Sequence, residues 1–482
     1  MARPGLQLTL AASTLASIFG VALIGPMPAW QVRPAAPAAA AQATSADAAG
    51  WPAALLAIGF ALALCAPFRP YSLALRVAAS ASTRVIVLLT AALALVALLI
   101  FPGFGSDLFV YLDYERLWAV YGANPLLAFP SLHPEDWAFA FTWIPQQPSP
   151  YGPLWPILTW PIARLADNSL WGWIVGYKLL SLAAYATCCG LIWTSAERAD
   201  RKRALVLFAW SPLVLFEVLG KAHNDSLLAL GAVAAICLAR RHPAIAMLLA
   251  TAGALIKLSG LAVVLGLGLA LVRRRAWRPL AIGSALAAAL TLALYGPFWV
   301  GPETLLPVLV QTSRVVWSPG ALIIGAAGGL LPHVDLIARA TTVLAWAATC
   351  ALVAARGRDL ARDTSVLLIA TLLLLTTAFF AHYLVPVVAV VALSGDRRLE
   401  HSVVALSMGS LAAYSVELLG GALPVGWIGS AGYQILGSLL TLAPCAALGL
   451  KWLVLDGPPG PTRQPAGVPA HSGPLAGMST RA

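Results

Sequence analysis

Residues 240–275 read RRHPAIAMLLATAGALIKLSGLAVVLGLGLALVRRR, and this stretch decides the fold. Basic clusters between apolar runs mark the cytoplasmic side of a membrane protein. Only about 30 residues separate Arg241 from Arg273, yet an even number of crossings must fit between two clusters on the same side. A perpendicular helical crossing takes roughly 20 residues. The stretch is therefore a short hairpin or a re-entrant pair, 243–256 and 258–272, turning near Lys257. The same arithmetic applies between Arg362 and Arg397, where 364–380 and 382–394 turn near His382 and Tyr383. Polar turns that stop below the membrane surface are tolerated where they line a cavity. The two hairpins predict a cavity open to the outside.

The other bases form the same pattern. Arg69, Arg76 and Arg84, then Arg198 to Arg203, then Arg273 to Arg278, then Arg356 to Arg362, and finally Arg397 and Arg398 alternate with apolar spans. Most of the 30 basic residues belong to such clusters, so the net charge of +11 reports topology rather than an acidic partner. The chain of 482 residues is 60% hydrophobic and 10% charged, with a mean hydropathy of +0.84. A soluble domain carries roughly a quarter of its residues as charges. Soluble enzymes, disordered scaffolds and nucleic-acid-binding modules are excluded. The expected fold is an all-α polytopic membrane protein of about 13–14 transmembrane helices, a membrane domain over 1–455 and a disordered cytoplasmic tail over 456–482. The first span, 7–29, resembles a signal peptide but is read as a retained helix, because it supplies the parity the later spans need. The six cysteines lack metal-ligand spacing and read as small buried residues.

The loop 103–169 differs from the rest. It carries six acids (Asp107, Asp113, Glu115, Glu135, Asp136, Asp167) against Arg116 and Arg164, and alternation places it outside. Its many rings suit amphipathic helices lying at the bilayer interface. They would equally suit sugar stacking. Asp107 and Asp113 lie six positions apart on a predicted helix, about 120° apart in direction, so they do not form one carboxylate pair. Asp113 has Arg116 at i+3. Asp107 sits where a carboxylate could cap the helix or, facing a cavity, take a proton from an attacking hydroxyl.

Ionisable groups at membrane depth usually face protein or water. Lys221-Ala-His223-Asn224-Asp225 interrupts two apolar spans on the external side, with Glu217 just before it. Lys221 and Asp225 have the spacing of an i,i+4 ion pair. Alternatively, His223, Asn224 and Asp225 orient a substrate hydroxyl or phosphate. The run could also bind a divalent cation together with Asp107. Lys257 could snorkel to the interface or face a lipid phosphate; His382 and Tyr383 could anchor a turn or contact phosphate or sugar. Arg314 is a weaker external candidate.

Ser106-Asp107-Leu-Phe-Val-Tyr111, Tyr121-Gly-Ala-Asn-Pro125 and Pro150-Tyr-Gly-Pro153 resemble the first external loop of GT-C glycosyltransferases. Ser211-Pro-Leu-Val-Leu-Phe-Glu217 with His223-Asn-Asp225 is similar to the Asn-Pro-Leu and His-Asn-Asp/Glu segments of bacterial polyprenyl-phosphomannose-dependent mannosyltransferases, with Ser211 in place of Asn. The resemblance implies a GT-C-like fold and an inverting transfer of mannose from a polyprenyl-phosphate donor. The acceptor would be an envelope glycan or glycolipid at the outer face of the bacterial inner membrane. By the same analogy Asp107 is the catalytic base, with Tyr111, Asp113, Tyr151, Lys221, His223, Asn224, Asp225, Lys257, His382 and Tyr383 around the substrates. Mannose comes from the resemblance alone. The competing class is a lipid or glycolipid transporter, which would spread polar groups through the whole membrane depth.

Overall fold

A computed structural model describes residues 4–19, 51–102, 107–142, 144–307, 314–328, 330–357, 359–376, 378–422 and 429–454. The expected tail, the second half of the expected first span and the GFGS entry to the loop (103–106) lie outside the described residues.

The protein is an all-α polytopic membrane protein. Its sole β feature among the described residues is the isolated bridge between Val316 and Ala378. Five helices are long and apolar enough to cross a bilayer, and a sixth span is formed by two helices meeting at 43°. The figure of 13–14 counts shorter apolar helices as crossings; five of these have 10–17 residues.

The chain opens with α1 (Pro4–Phe19), whose Leu8, Ala11, Ala12 and Leu15 are buried against α3 (Phe68–Val77) and α4 (Thr83–Leu98). Between α1 and α3 lies α2 (Trp51–Cys65). The loop 103–169 contains α5 (Leu108–Ala119) and α6 (Leu154–Ala166). Then α7 (Leu170–Ser195) runs to the basic clusters, and α8 (Arg201–Ala209) with α9 (Pro212–Gly220) returns. The bend between these two falls at Ser211-Pro212, where proline cannot donate to a continuing helix. α10 (Asp225–Leu238) goes back to Arg240.

The first hairpin is α11 (Pro243–Ala254) and α12 (Leu261–Arg273), with Lys257 at the turn. At 12 and 13 residues the two arms are about 18 and 20 Å long, short of a ~30 Å hydrocarbon core. Beyond α13 (Trp277–Tyr295), α14 (Pro319–Ala327) and α15 (Val334–Arg356) comes the second hairpin, α16 (Leu360–Ala370) and α17 (Val385–Ser394). Its rising arm ends in a π-helical turn, Thr371–Leu375, and its tip holds His382. α18 (Arg397–Ala422) packs on α19 (Gly429–Val454) and closes the described chain.

Basic loops meet at one end of this bundle. Arg203 bonds Glu400 and the Leu75 carbonyl, Arg397 bonds Glu400 and Asp200, Arg362 pairs with Asp396, and Arg273 pairs with Asp363. The tips of both hairpins lie at the other end.

The two loop helices differ from each other. α6 is amphipathic: Trp155, Thr159 and Ala163 are buried, whereas Leu158, Trp160 and Leu165 are exposed. This matches the expectation of an interfacial helix. α5 does not, because residues 108–117 are all buried. Leu108, Tyr111 and Leu112 pack with Tyr151, Trp155, Trp173 and Tyr177, and Val110, Tyr114 and Leu117 join a second cluster. The rings of the loop thus form a core of their own that fixes the position of Asp107.

Candidate functional site

Asp107 occupies the N-cap position of α5, but its carboxylate makes no capping bond. Instead Oδ2 accepts a hydrogen bond from the Tyr151 hydroxyl at 2.7 Å. Burial first, and the Asp107 charge second, push the Tyr151 phenol well above its usual pKa, so it remains a donor. The turn that carries Tyr151 is docked by its backbone: Gly152 N–H donates to Ile256 O at 2.9 Å and Leu154 N–H to Leu255 O at 3.1 Å. A Cβ at Gly152 would collide with the Leu255 carbonyl, so only glycine allows this approach. The Pro-Tyr-Gly-Pro motif therefore fastens this loop to the end of α11, next to Lys257.

On the other side of Asp107 stands the His-Asn-Asp run. It follows a π-helical turn, Leu215–Gly220, and Ala222 in the left-handed region at φ 59°. His223 is fully buried. Its Nδ1 lies 2.8 Å from Glu217 Oε2, and its Nε2 faces the Asp107 N–H at 3.4 Å. The Asp107 N–H donating to Nε2 marks that nitrogen as the acceptor, with its lone pair toward Asp107. The His382 ring stacks on His223, with centroids 4.1 Å apart and planes 14° apart. His382 Nε2 lies 4.0 Å from Asp107 Oδ2 and 4.0 Å from Asp225 Oδ2. The backbone N–H of Asn224 donates to the Tyr111 hydroxyl at 3.2 Å, while its buried side-chain amide has no hydrogen-bond partner. Tyr111 in turn meets Tyr151 and Trp155 edge to face.

Lys257 donates to Asp225 Oδ2 at 2.8 Å and sits 4.0 Å over the Tyr383 ring. This corrects one expected pairing: Asp225 is held by Lys257 rather than by Lys221. The i,i+4 rule presumes one continuous helix, and the π turn with Ala222 breaks the helix between positions 221 and 225. Lys221 lies instead 3.8 Å from Glu217 and over the rings of Phe216 and Tyr414.

The expected partnership of Asp113 with Arg116 is corrected as well. Arg116 Nε reaches both oxygens of Asp136, at 2.8 and 3.0 Å, and its Nη1 donates to the Asp167 carbonyl. Burial raises the Asp136 carboxyl, but the Arg116 guanidinium and the Ala138 N–H together hold it below its usual value. Asp113, four per cent exposed, is pushed well above the carboxylate range by burial and bonds the Thr142 hydroxyl. It faces the loop interior, away from the Asp107 cluster. Glu115 is buried too, and burial raises it to about 8.

Five sequence candidates thus gather around Asp107: Tyr151, His223, Asp225, Lys257 and His382. Asn224, Tyr111 and Tyr383 line the same place. Arg314 approaches from the far side, bonded to Gln147; the backbone bond from Phe379 N–H to Val316 O, 2.8 Å long, ties its segment to the His382 tip. From the sequence, Glu217 is an acid at membrane depth without an evident role. Glu417, an acid in the apolar stretch of α18 well past its charged first turn, was missed, although an ionisable group in such a stretch is itself a sign of function. Lys178 was missed for the same reason. Its ammonium donates to the carbonyls of Leu98, Ile100 and Leu219. It joins the end of α4, which leads to Asp107, with the end of α9, which leads to His223.

Asp107, His223 and His382 each offer a ligand atom, and these atoms lie within 4.8 Å of one another. The cluster therefore combines a proton acceptor, two imidazoles, a lysine-paired carboxylate and an open amide in a largely buried setting. It suits the acceptance of a proton from a hydroxyl beside a second, anionic group. The family model described as alpha-(1->6)-mannopyranosyltransferase, N-terminal domain, matches residues 8–273. No curated protein and no solved structure matches the chain.

Proposed function

This chain belongs to the alpha-(1->6)-mannopyranosyltransferase family, and from that premise we propose that it moves mannose, with inversion, from a polyprenyl-phosphate donor to a hydroxyl of an envelope glycan or glycolipid at the outer face of a bacterial inner membrane. Family membership makes it a glycosyltransferase of the mannosyltransferase kind, embedded in a membrane by its apolar helices. The donor, the acceptor and the face are the added steps of the proposal.

The observation that carries the reading is the Asp107 carboxylate. It leaves the helix it could cap, is oriented by Tyr151 and opens onto the two histidines. In a single displacement the acceptor oxygen forms a bond to the anomeric carbon while the bond from that carbon to the phosphate oxygen breaks. The acceptor proton passes to Asp107, and the polyprenyl phosphate leaves with the bonding electrons. A phosphate departs best toward cations or N–H donors already in place. Lys257 and His382 stand there, at the tips of the short hairpins, where the polyprenyl chain can remain in the bilayer. Asn224, Asp225, His223, Tyr111 and Tyr383 hold the sugar and the acceptor. Asp113 and Lys221 contribute from behind, through the loop core and through Glu217.

The basic clusters support the orientation, because they gather at the end opposite the site. The test is transfer from a synthetic polyprenyl-phosphate mannose by the purified chain and by Asp107→Asn. A loss of about 10²–10⁴-fold is expected for removal of the base. Full activity in the variant would remove Asp107 from the chemistry.

A further inference from the structure

Two histidines and one carboxylate form a donor set used by open metal sites, in which three protein ligands leave positions for water or substrate. The cluster at the hairpin tips has this set in Asp107, His223 and His382. Around an ion with bonds of roughly 2.1 Å, tetrahedral ligand atoms stand about 3.4 Å apart. The three here are within 4.8 Å of one another, so side-chain shifts of an ångström or so would close the site.

Three further observations point the same way. His223 Nδ1 lies 2.8 Å from Glu217 Oε2, the carboxylate–histidine juxtaposition that orients an imidazole toward a metal and raises its basicity. The lone pair on Nε2 meets only a long contact, 3.4 Å from the Asp107 N–H. His382 Nε2 lies between two carboxylates at 4.0 Å from each, too far for a hydrogen bond to either. The charges also leave a place for a cation. Lys257 pairs with Asp225 and Lys221 neighbours Glu217, whereas among the described residues no lysine or arginine lies within ion-pair distance of Asp107.

We propose that Asp107, His223 and His382 bind one divalent transition-metal ion of the Mn²⁺ or Zn²⁺ class, with Glu217 as the positioning residue for His223. The site stands on the donor set and its geometry, independently of the transfer reading. The ion adds fixed positive charge beside Asp107 and keeps positions free for an oxygen of the substrate, a phosphate or a hydroxyl. Asp107 can bind it through one oxygen and still accept a proton on the other.

The experiment measures metal directly. The full-length chain in detergent is stripped with a chelator and titrated with Mn²⁺ alone, which thiols bind poorly, so the six cysteines do not interfere. Free Mn²⁺ is followed by electron paramagnetic resonance. About one Mn²⁺ per chain is expected, with ¹⁴N couplings from imidazole in the bound spectrum. Asp107→Asn and His382→Gln should each weaken binding at least ~10-fold, and Glu217→Gln by about 10–100-fold. Arg362→Ala, at the opposite end, should bind as the wild type does. Absence of stoichiometric binding in the wild type would overturn the proposal, as would bound Mn²⁺ without ¹⁴N coupling. Both readouts need no variant to fold. Binding that survives both Asp107→Asn and His382→Gln would place the ion elsewhere and overturn it too.

Discussion

The two ends of the bundle hold charges in opposite ways. At the basic end Arg203, Arg273, Arg362 and Arg397 are each matched by a carboxylate. Arg203 and Arg397 share the two oxygens of Glu400, Arg397 reaches Asp200 at 2.6 Å, and Arg273 meets Asp363 at 2.8 Å. At the hairpin tips the groups are as close but less matched. His382 stands 4.0 Å from two carboxylates, and Asn224 and one oxygen of Asp225 are buried without hydrogen-bond partners. Unsatisfied buried polar groups are costly. A protein retains them where a substrate or ion completes them, so the difference separates charges that hold the fold from charges that act.

Substitutions can break this contrast. The largest effect is expected from Asp107→Asn, which should abolish nearly all transfer while leaving thermal unfolding in detergent close to that of the wild type. Next, Lys257→Met leaves Asp225 buried without its cation, and losing one partner of a buried pair costs about 3–5 kcal/mol. Unfolding should shift accordingly, and transfer should fall with it. At the other end, Glu400→Gln weakens two arginine bonds at a group six per cent exposed and should cost about 1–3 kcal/mol, with mannosyl transfer per folded chain unchanged. A comparable loss of transfer would dissolve the distinction between the two ends.

The loop sharpens the comparison through pH. Glu115 is raised to about 8 in the folded chain, from an ordinary value of 4.5, because burial disfavours its charged form. The folded state therefore holds this proton across a window where the unfolded chain has lost it. Stability should fall as pH rises from about 4.5 to 8, and Glu115→Gln should flatten that part of the unfolding profile. The smallest effect belongs to Arg362→Ala. That pair is exposed on the arginine side, and such pairs contribute about 0–1 kcal/mol. A shift in unfolding beyond that range would show that the basic end is more tightly coupled than its geometry indicates.

Much of this arrangement was legible in the sequence. The spacing of Arg241 and Arg273, and of Arg362 and Arg397, required hairpins, and Lys257 and His382 stand at their tips. Charge sign alone separated the loop of Asp107 from the basic clusters. What stayed hidden depends on contacts between distant segments. Lys257 meets Asp225 from 32 positions away, and Glu217 reaches His223 only because a π turn and the left-handed Ala222 redirect the chain. Helical spacing describes neighbours on a continuous helix and has nothing to say across such a break. The interfacial reading of α5 failed for a related reason: its polar residues find partners inside the loop, Arg116 with Asp136 and Asp113 with Thr142, so polarity did not mark a wet face.

The ammonium of Lys178, held by three carbonyls from two segments, has a consequence for motion. Leu98 and Ile100 lead to Asp107, and Leu219 leads to His223, so a shift of either strains a shared joint that is buried among apolar side chains. The joint ties the end of α4 to the end of α9, the segment that leads to His223. The two hairpin tips, with Lys257 and His382, lie outside that joint, so on the proposed reading adaptation to acceptors of different shape would fall to them.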